Sequence, residues 1–328
     1  MILLTGATGY LGSQIAQGLI ERGEPFRVLV RDPARLGFDP SRAKSDVVEG
    51  DLLDGRALTR ALRGTRQVIH TAALVKMWAR DPGEFRRVNV EGLQALLTAA
   101  AEAGVERVIY TSSFIALGPS SDPAASEELR HHGPFSNAYE QTKAEALAWL
   151  HEEGFRRFPV TALLPGVIYG PGPHTQGNLV GQMIDDYVAG RLPGILGAGD
   201  QRWSFSFIRD VVHAHLAALE KGNREAYVLA GDNRSLNDLF RIVSEISGVH
   251  RPIRHLPFWA GKLAGGLDVL RAEVFGRAPQ LTPGVVEIFK HDWIYSSDKA
   301  QRELGYHVTP LEEGIELTMK TMRALPGR

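Results

Sequence analysis

The sequence predicts an α/β fold, a doubly wound parallel sheet with a small C-terminal substrate-binding lid, and three observations carry that expectation. Short β-rich runs alternate with helical spacing over roughly the first half of the chain. A glycine-rich turn, Gly6-Ala-Thr-Gly9-Tyr-Leu-Gly12, stands between the first apolar run and the first helical stretch. The chain has 328 residues, 44% of them hydrophobic, which is ample for one large domain carrying a smaller one.

Ile2 to Thr5 is the first apolar run, and Ser13 to Arg22 follows with apolar residues at Ile15, Leu19 and Ile20. Glycine between a strand and a helix lets the backbone approach a pyrophosphate, which then sits on the amides that open the helix. The spacing G-x-x-G-x-x-G is not the G-x-G-x-x-G of the dinucleotide fingerprint, but the mechanics are the same. Gly6, Thr8, Gly9, Tyr10, Leu11 and Gly12 are therefore expected to hold a dinucleotide in a Rossmann fold. The second run, Phe26 to Val30, ends in Arg31-Asp32-Pro33-Ala34-Arg35. An acid there accepts the 2′-hydroxyl of NAD, and arginines pair with the 2′-phosphate of NADP, so Arg31 and Arg35 favour NADP while Asp32 keeps NAD open.

A third strand over Asp46 to Glu49 leads into Gly50-Asp51-Leu52, which brings Asp51 near the adenine amine with Leu52 beside it. The fourth, Arg66 to His70, leads into Thr71-Ala72-Ala73, small residues suited to a backbone passing close to a ribose. Glu84 to Ala103 reads as a long helix with Asn89 in its first third, and Val105 to Tyr110 as a fifth strand ending in Thr111-Ser112-Ser113. A sixth, Val160 to Leu164, is followed by Pro165, Gly166 and Val167. Ligands bind beyond the carboxyl ends of such strands, where Gly6, Arg31, Asp51, Ala72 and Ser113 all fall.

Past residue 170 the alternation loosens. Residues 1–170 are expected to form the dinucleotide-binding domain, with 203–232 returning to it through strands at Trp203 to Phe207 and Ala226 to Leu229 and a helix at Asp210 to Leu219. Residues 171–202 and 233–328 would mainly form the lid.

The chemistry centres on Tyr139-Glu-Gln-Thr-Lys143, in a stretch of good helix formers. Residues four apart share a helix face, so Tyr139 and Lys143 point the same way. A phenol ionises near ~10, and a nearby ammonium favours the phenolate, which would bring a proton donor toward neutral pH. Ser113, a hydroxyl at the end of a central strand, can hydrogen-bond a substrate oxygen where charge develops.

Composition narrows the remaining classes. With 37 basic and 38 acidic residues the overall balance suggests neither nucleic acid nor an anionic membrane as partner. No cysteine is present, which excludes disulfides, thiolate metal sites and cysteine nucleophiles. No carboxylate cluster suggests a metal, and His213 and His215, two apart on a helix, face different ways. His131 and His132 are expected to be solvated loop residues. Met1 leads directly into the first strand, so a cytoplasmic location is expected. Pro257 to Phe275 is interrupted by Lys262, Asp268, Arg271 and Glu273, and reads as an amphipathic helix, not a membrane span.

The combination Gly6-x-x-Gly9-x-x-Gly12, Asp51, Asn89, Ser113 and Tyr139-x-x-x-Lys143 resembles the extended short-chain dehydrogenase/reductase superfamily, also called the NAD-dependent epimerase/dehydratase family. The stretches VRDPAR, HTAALVKMWARDP and YTSSFIALGP are similar to its dihydroflavonol-reductase-like branch, including the hopanoid-associated sugar epimerase relatives. The resemblance implies that Ser113 polarises the reacting oxygen, Tyr139 transfers the proton, and Lys143 holds the nicotinamide ribose and lowers the tyrosine pKa. It also implies that Asn89 supports the active helix and a proton-relay water, that Pro165, Gly166 and Val167 shape the nicotinamide pocket, and that the chain forms a homodimer through the helices around 84–103 and 136–153.

Hydride transfer to or from a carbonyl or alcohol carbon of a small substrate is the activity this reading favours. A nucleotide-sugar epimerase or dehydratase with retained NAD is the alternative, and a non-catalytic NADP-binding redox sensor a third. Asn178-Leu179 fits the sugar-nucleotide pattern, but Trp203 stands where such enzymes carry a phosphate-binding arginine, and the adjacent Arg202 points to the opposite face of its strand. Val75, Trp78, Phe114 and Trp203 can instead offer an apolar, aromatic pocket.

Overall fold

The computed structural model describes residues 1–172, 175 and 177–324. Its strands in chain order are β1 (Ile2–Thr5), β2 (Phe26–Val30), β3 (Ser45–Glu49), β4 (Gln67–His70), β5 (Arg107–Thr111), β6 (Ser120–Ala125), β7 (Val160–Pro165), β8 (Val167–Tyr169), β9 (Ile195–Leu196), β10 (Arg202–Phe207), β11 (Ala226–Leu229), β12 (Asp232–Ser235), β13 (His255–Leu256) and β14 (Trp293–Tyr295). Seven of them form one sheet in the order β3-β2-β1-β4-β5-β7-β11, every neighbour parallel. β1, β7 and β11 are buried throughout, as continuous apolar runs covered on both faces should be. The Tyr10–Glu21 helix packs with the Ile208–Lys221 helix, and the Gly55–Leu62 and Gly92–Glu102 helices pack together as a second group. The strand order reverses between β1 and β4, which opens a crevice at their carboxyl ends.

A second sheet runs β12-β10-β14-β6, with β8 also paired to β10. Trp203 to Phe207 does not rejoin the large sheet, as expected from its sequence, but lies at the heart of this second one. Two glycines explain the crossing. Between β7 and β8, a Cβ on Gly166 would sit 2.4 Å from the Ser204 carbonyl oxygen. Between β11 and β12, a Cβ on Gly231 would run into the backbone of Phe205. At both points the chain leaves the large sheet only because no side chain stands between it and β10.

The 84–103 stretch is helical, with a wide π-type turn over Arg87–Glu91 that contains Asn89. Phe258–Phe275 is a helix as expected, but it is not amphipathic in the ordinary sense, because the residues it buries are Gly261, Gly265 and Ala272. Among the described residues no helix is long and apolar enough to cross a membrane.

Candidate active site

The glycine turn opens the Tyr10–Glu21 helix, and its three glycines do different work. Gly6 has φ +80°, and a Cβ there would meet Thr71 Oγ1 at 2.5 Å, so its bareness lets the 71–73 segment lie against the turn. A Cβ on Gly12 would collide with the Gly6 carbonyl. Gly9 is exposed, and a Cβ there would meet only the Gly6 oxygen, at 3.3 Å, so it is the glycine that leaves space for a ligand. Gly9 is also the N-cap of the helix and supplies no side chain to its first amides, which suits an anion. Thr8 is half-buried beside it and Leu11 is buried. The Tyr10 side chain turns inward, where its hydroxyl donates to the Gly170 carbonyl at 3.0 Å.

Around the crevice, Thr71 Oγ1 donates to the Thr5 carbonyl at 2.8 Å and the Ala72 N–H reaches Thr5 Oγ1, which staples the 71–73 segment with Ala73 to the end of β1. Arg31 and Arg35 are exposed beyond β2, and the Arg31 guanidinium is 3.9 Å from the Asp51 carboxylate. Asp51 also accepts the Leu53 N–H, with Leu52 half-buried between them. Asp32 is engaged by its own turn, accepting the Ala34 N–H at 3.1 Å. A dinucleotide fits this set: an open glycine, an uncapped helix and a basic end to β2.

Asn137 starts the Ala138–Trp149 helix by accepting the Glu140 N–H. The helix carries Tyr139 and Lys143 inward toward the end of β5, where both are buried. Lys143 Nζ donates to the Thr111 carbonyl at 3.1 Å and to the Tyr110 hydroxyl at 3.5 Å, and lies 6.0 Å from the centre of the Tyr139 ring. Burial pulls this ammonium down to about 7. The expected lowering of Tyr139 by Lys143 does not hold: burial pushes the phenol up to about 12, and only a hydrogen bond with Ser113 works against it. Tyr139 is therefore a protonated donor at neutral pH. Ser113 is buried at the start of the Phe114–Leu117 turn, where its Oγ accepts the Ile115 N–H. Beneath them His70 is held neutral, down to about 3, first by burial and then by Lys143, and it bonds Thr5 Oγ1. Asn89 accepts the Leu74 N–H at 2.8 Å and donates to Thr142 Oγ1 at 3.2 Å, so it ties the loop after β4 to the helix that carries Lys143.

The residues expected to touch substrate divide. Val75 and Trp78 are half-buried in the loop after β4. Trp203 is buried against Phe289, its ring nitrogen without a hydrogen-bond partner among the described residues. Phe114 packs edge-on against Trp293 and Tyr295 of the second sheet and does not face an open pocket. Asn178 is fully buried as the cap of the Leu179–Ala189 helix, accepting the Gly181 N–H, which leaves it no face for a ligand. The Arg202 side chain is paired with Asp122 and Asp292. Pro165 ends β7, Gly166 makes the crossing and Val167 begins β8.

Residues 2–230 match the model of the NAD dependent epimerase/dehydratase family. The chain belongs to that family. It is an extended short-chain dehydrogenase/reductase, an enzyme of NAD(P)-dependent oxidoreduction. It is 34% identical over 316 residues to sterol demethylase protein B of Methylococcus capsulatus, covering 92% of each chain. It is 28% identical over 322 residues to a 3 beta-hydroxysteroid dehydrogenase/Delta 5→4-isomerase of Mycobacterium tuberculosis, covering 93% of this chain and 85% of that one. A UDP-glucose 4-epimerase of Thermotoga maritima, solved with UDP-glucose, shares its fold with a TM-score of 0.79 at 24% identity over 98% of both chains.

One feature of this family member escapes sequence reasoning. Glu140, next to Tyr139, is 0% exposed. Its carboxylate bonds His131 Nε2 at 2.7 Å and accepts the Ser136 N–H at 2.8 Å. His131 is thus no solvated loop residue, whereas His132 is exposed. The pair clasps the 131–136 loop against the start of the Ala138–Trp149 helix. A signal was available in Asn137-x-x-Glu140, a carboxylate in the first helical turn three residues after a cap, where it can reach back to the preceding backbone.

Proposed function

We propose that this protein interconverts a carbonyl and the corresponding alcohol on a small apolar substrate, with NADP(H) preferred and Tyr139 as the proton donor or acceptor. The observation that carries this reading is the meeting of the Tyr139 phenol with Ser113 and Lys143 at the carboxyl end of β5, all three buried. The nicotinamide, when bound, supplies or takes the hydride. In the reducing direction the Tyr139 hydroxyl gives its proton to the substrate oxygen, and Ser113 Oγ hydrogen-bonds that oxygen as charge develops on it. Lys143 would hold a ribose hydroxyl of the bound dinucleotide, and Asn89 fixes the helix through Thr142. Tyr139→Phe is expected to lower kcat by about 10²–10⁴-fold with the fold intact. Wild-type turnover in that variant would sink the assignment.

The NADP preference is supported by exposed Arg31 and Arg35 and by Asp32, whose carboxylate is occupied within its turn. Titration with NADPH and NADH should favour NADPH by about tenfold or more, and Arg31→Ala with Arg35→Ala should abolish the difference. An apolar substrate is supported by half-buried Val75 and Trp78, and by relatives named for sterol and steroid chemistry. The division into a cofactor-binding part and a substrate-covering lid, a homodimer through 84–103 and 136–153, and a cytoplasmic location belong to the same proposal. Light scattering that gives a monomer would remove the dimer.

A nucleotide-sugar epimerase or dehydratase is the second reading, favoured by the fold shared with the Thermotoga enzyme. Arg202 paired with two carboxylates and Asn178 spent as a cap both weigh against diphosphate binding. Net NADPH consumption with substrate separates the two, since an epimerase returns the hydride it takes.

A further inference from the structure

The Phe258–Phe275 helix is turned inside out. Gly261, Gly265 and Ala272 face the protein, and a Cβ on Gly265 would lie 2.9 Å from the backbone of Thr282, so this helix meets the start of the Pro283–Ile288 helix backbone to backbone. Trp259, Leu263, Leu267, Leu270, Val274 and Phe275 face outward, between 52% and 75% exposed. Successive steps of four, four, three and four residues set the first five along one side of the helix. Scattered apolar residues on a surface need no explanation, but a continuous stripe marks a surface that something covers.

Its surroundings are basic. From Arg251 to Arg277 the sequence has five Lys or Arg against two carboxylates, although Lys262 is neutralised by Glu287 at 2.8 Å. One of these, Asp268, is turned to the backbone, accepting the N–H groups of Gln280 and Leu281. Arg271, Phe275 and Arg277 line an open groove of about 540 Å³ that Asp268 and Gln280 share. Neither arginine has an ion-pair partner among the described residues. The C-terminal end of the helix is joined to the loop that carries Trp78, where Arg80 donates to the Glu273 carbonyl at 3.2 Å. The C-terminal end of the stripe therefore lies beside the loop that carries Trp78.

We propose that this face docks on the surface of a lipid bilayer containing anionic headgroups. The helix lies in the plane of the interface with its leucines at the acyl boundary and Trp259 at headgroup level, and Arg271 and Arg277 take headgroup phosphates. A second copy of the chain is the competing occupant, which self-association in solution would reveal. The near-zero overall charge does not oppose docking, since headgroups act only within a Debye length of the surface. This proposal goes beyond the redox reading and does not depend on it.

The test is co-sedimentation of the full chain with vesicles of phosphatidylcholine alone and of phosphatidylcholine mixed with phosphatidylglycerol. The chain should sediment with the mixed vesicles, and raised salt should weaken binding. Leu267→Glu with Leu270→Glu should abolish sedimentation, and Arg271→Ala with Arg277→Ala should weaken it by about 30-fold on anionic vesicles. Both double variants should keep the wild-type Tm and cofactor titration. Absence of sedimentation with either vesicle overturns the proposal, as does binding unchanged by the glutamates. So does a wild-type dimer that the glutamate variant splits, which would make the face a self-association surface.

Discussion

Two helices of this enzyme break the rule of apolar inside and polar outside, in opposite directions. Ala138–Trp149 buries Tyr139, Glu140, Thr142 and Lys143, whereas Phe258–Phe275 buries glycine and alanine and shows its large apolar side chains to solvent. In the first, each buried polar group has a named partner, Glu140 with His131, Thr142 with Asn89 and Lys143 with the Thr111 carbonyl. In the second, the large side chains have none. Inversions of this kind lower stability, and they persist where the inverted face has a use. On the readings proposed above, the inward inversion serves chemistry and the outward one contact.

The contrast can be broken most severely by placing the same charge on both helices. Leu147→Glu, at a position 2% exposed, should cost about 4 kcal/mol and leave little folded protein, while Leu267→Glu should change stability by no more than about 0.5 kcal/mol. Equal losses in denaturant titrations would mean that the outer face is covered within the protein.

Next in size is the buried lysine. Its ammonium falls from an ordinary 10.5 to about 7, so between those values the unfolded chain binds a proton that the folded chain does not. Wild-type stability should therefore rise from pH 7 toward pH 9.5, and at or below pH 7 the folded state carries the full penalty of the buried charge. Lys143→Met should flatten that rise and add about 2 kcal/mol near pH 7, although it would impair turnover. Calorimetric Tm values at the two pH extremes check the sign, and a parallel pH dependence in wild type and variant would refute it.

The smallest effect lies within the outer helix. A Cβ at Gly265 meets backbone at 2.9 Å, whereas at Gly266 it meets nothing within 4 Å. Gly265→Ala should cost about 1–2 kcal/mol through overpacking, and Gly266→Ala should gain about 0.5–1 kcal/mol from helix propensity and a less entropic unfolded chain. Thermal melts of the pair decide it, and the same sign in both would show that the inner face is not close-packed.

The large sheet is legible in the sequence because a strand buried on both faces of a parallel sheet reads as an unbroken apolar run between helices. The same property hides the fate of Trp203 to Phe207, since a fully buried run says nothing of which sheet it enters, and only the bare Gly166 and Gly231 decide it. Tyr139 and Lys143 are legible through a spacing of four. Their proton affinities are not, because the burial that sets them comes from β5 and from the loop tied down by Asn89. Phe114 and Asn178 read as ligand contacts because aromatic and amide side chains serve packing and capping equally well.

The order of the large sheet bears on how the chain reaches its native state. β1 is made first and stands inside the sheet, next to its middle strand β4, and β11, at one edge, follows more than two hundred residues later. The Ile208–Lys221 helix then packs onto the Tyr10–Glu21 helix, with Leu216 and Val212 against Gly18. The earliest segment to leave the ribosome thus keeps an apolar face uncovered until most of the chain has been synthesised. Until then that face is open to the off-pathway contacts that late, long-range partners leave possible.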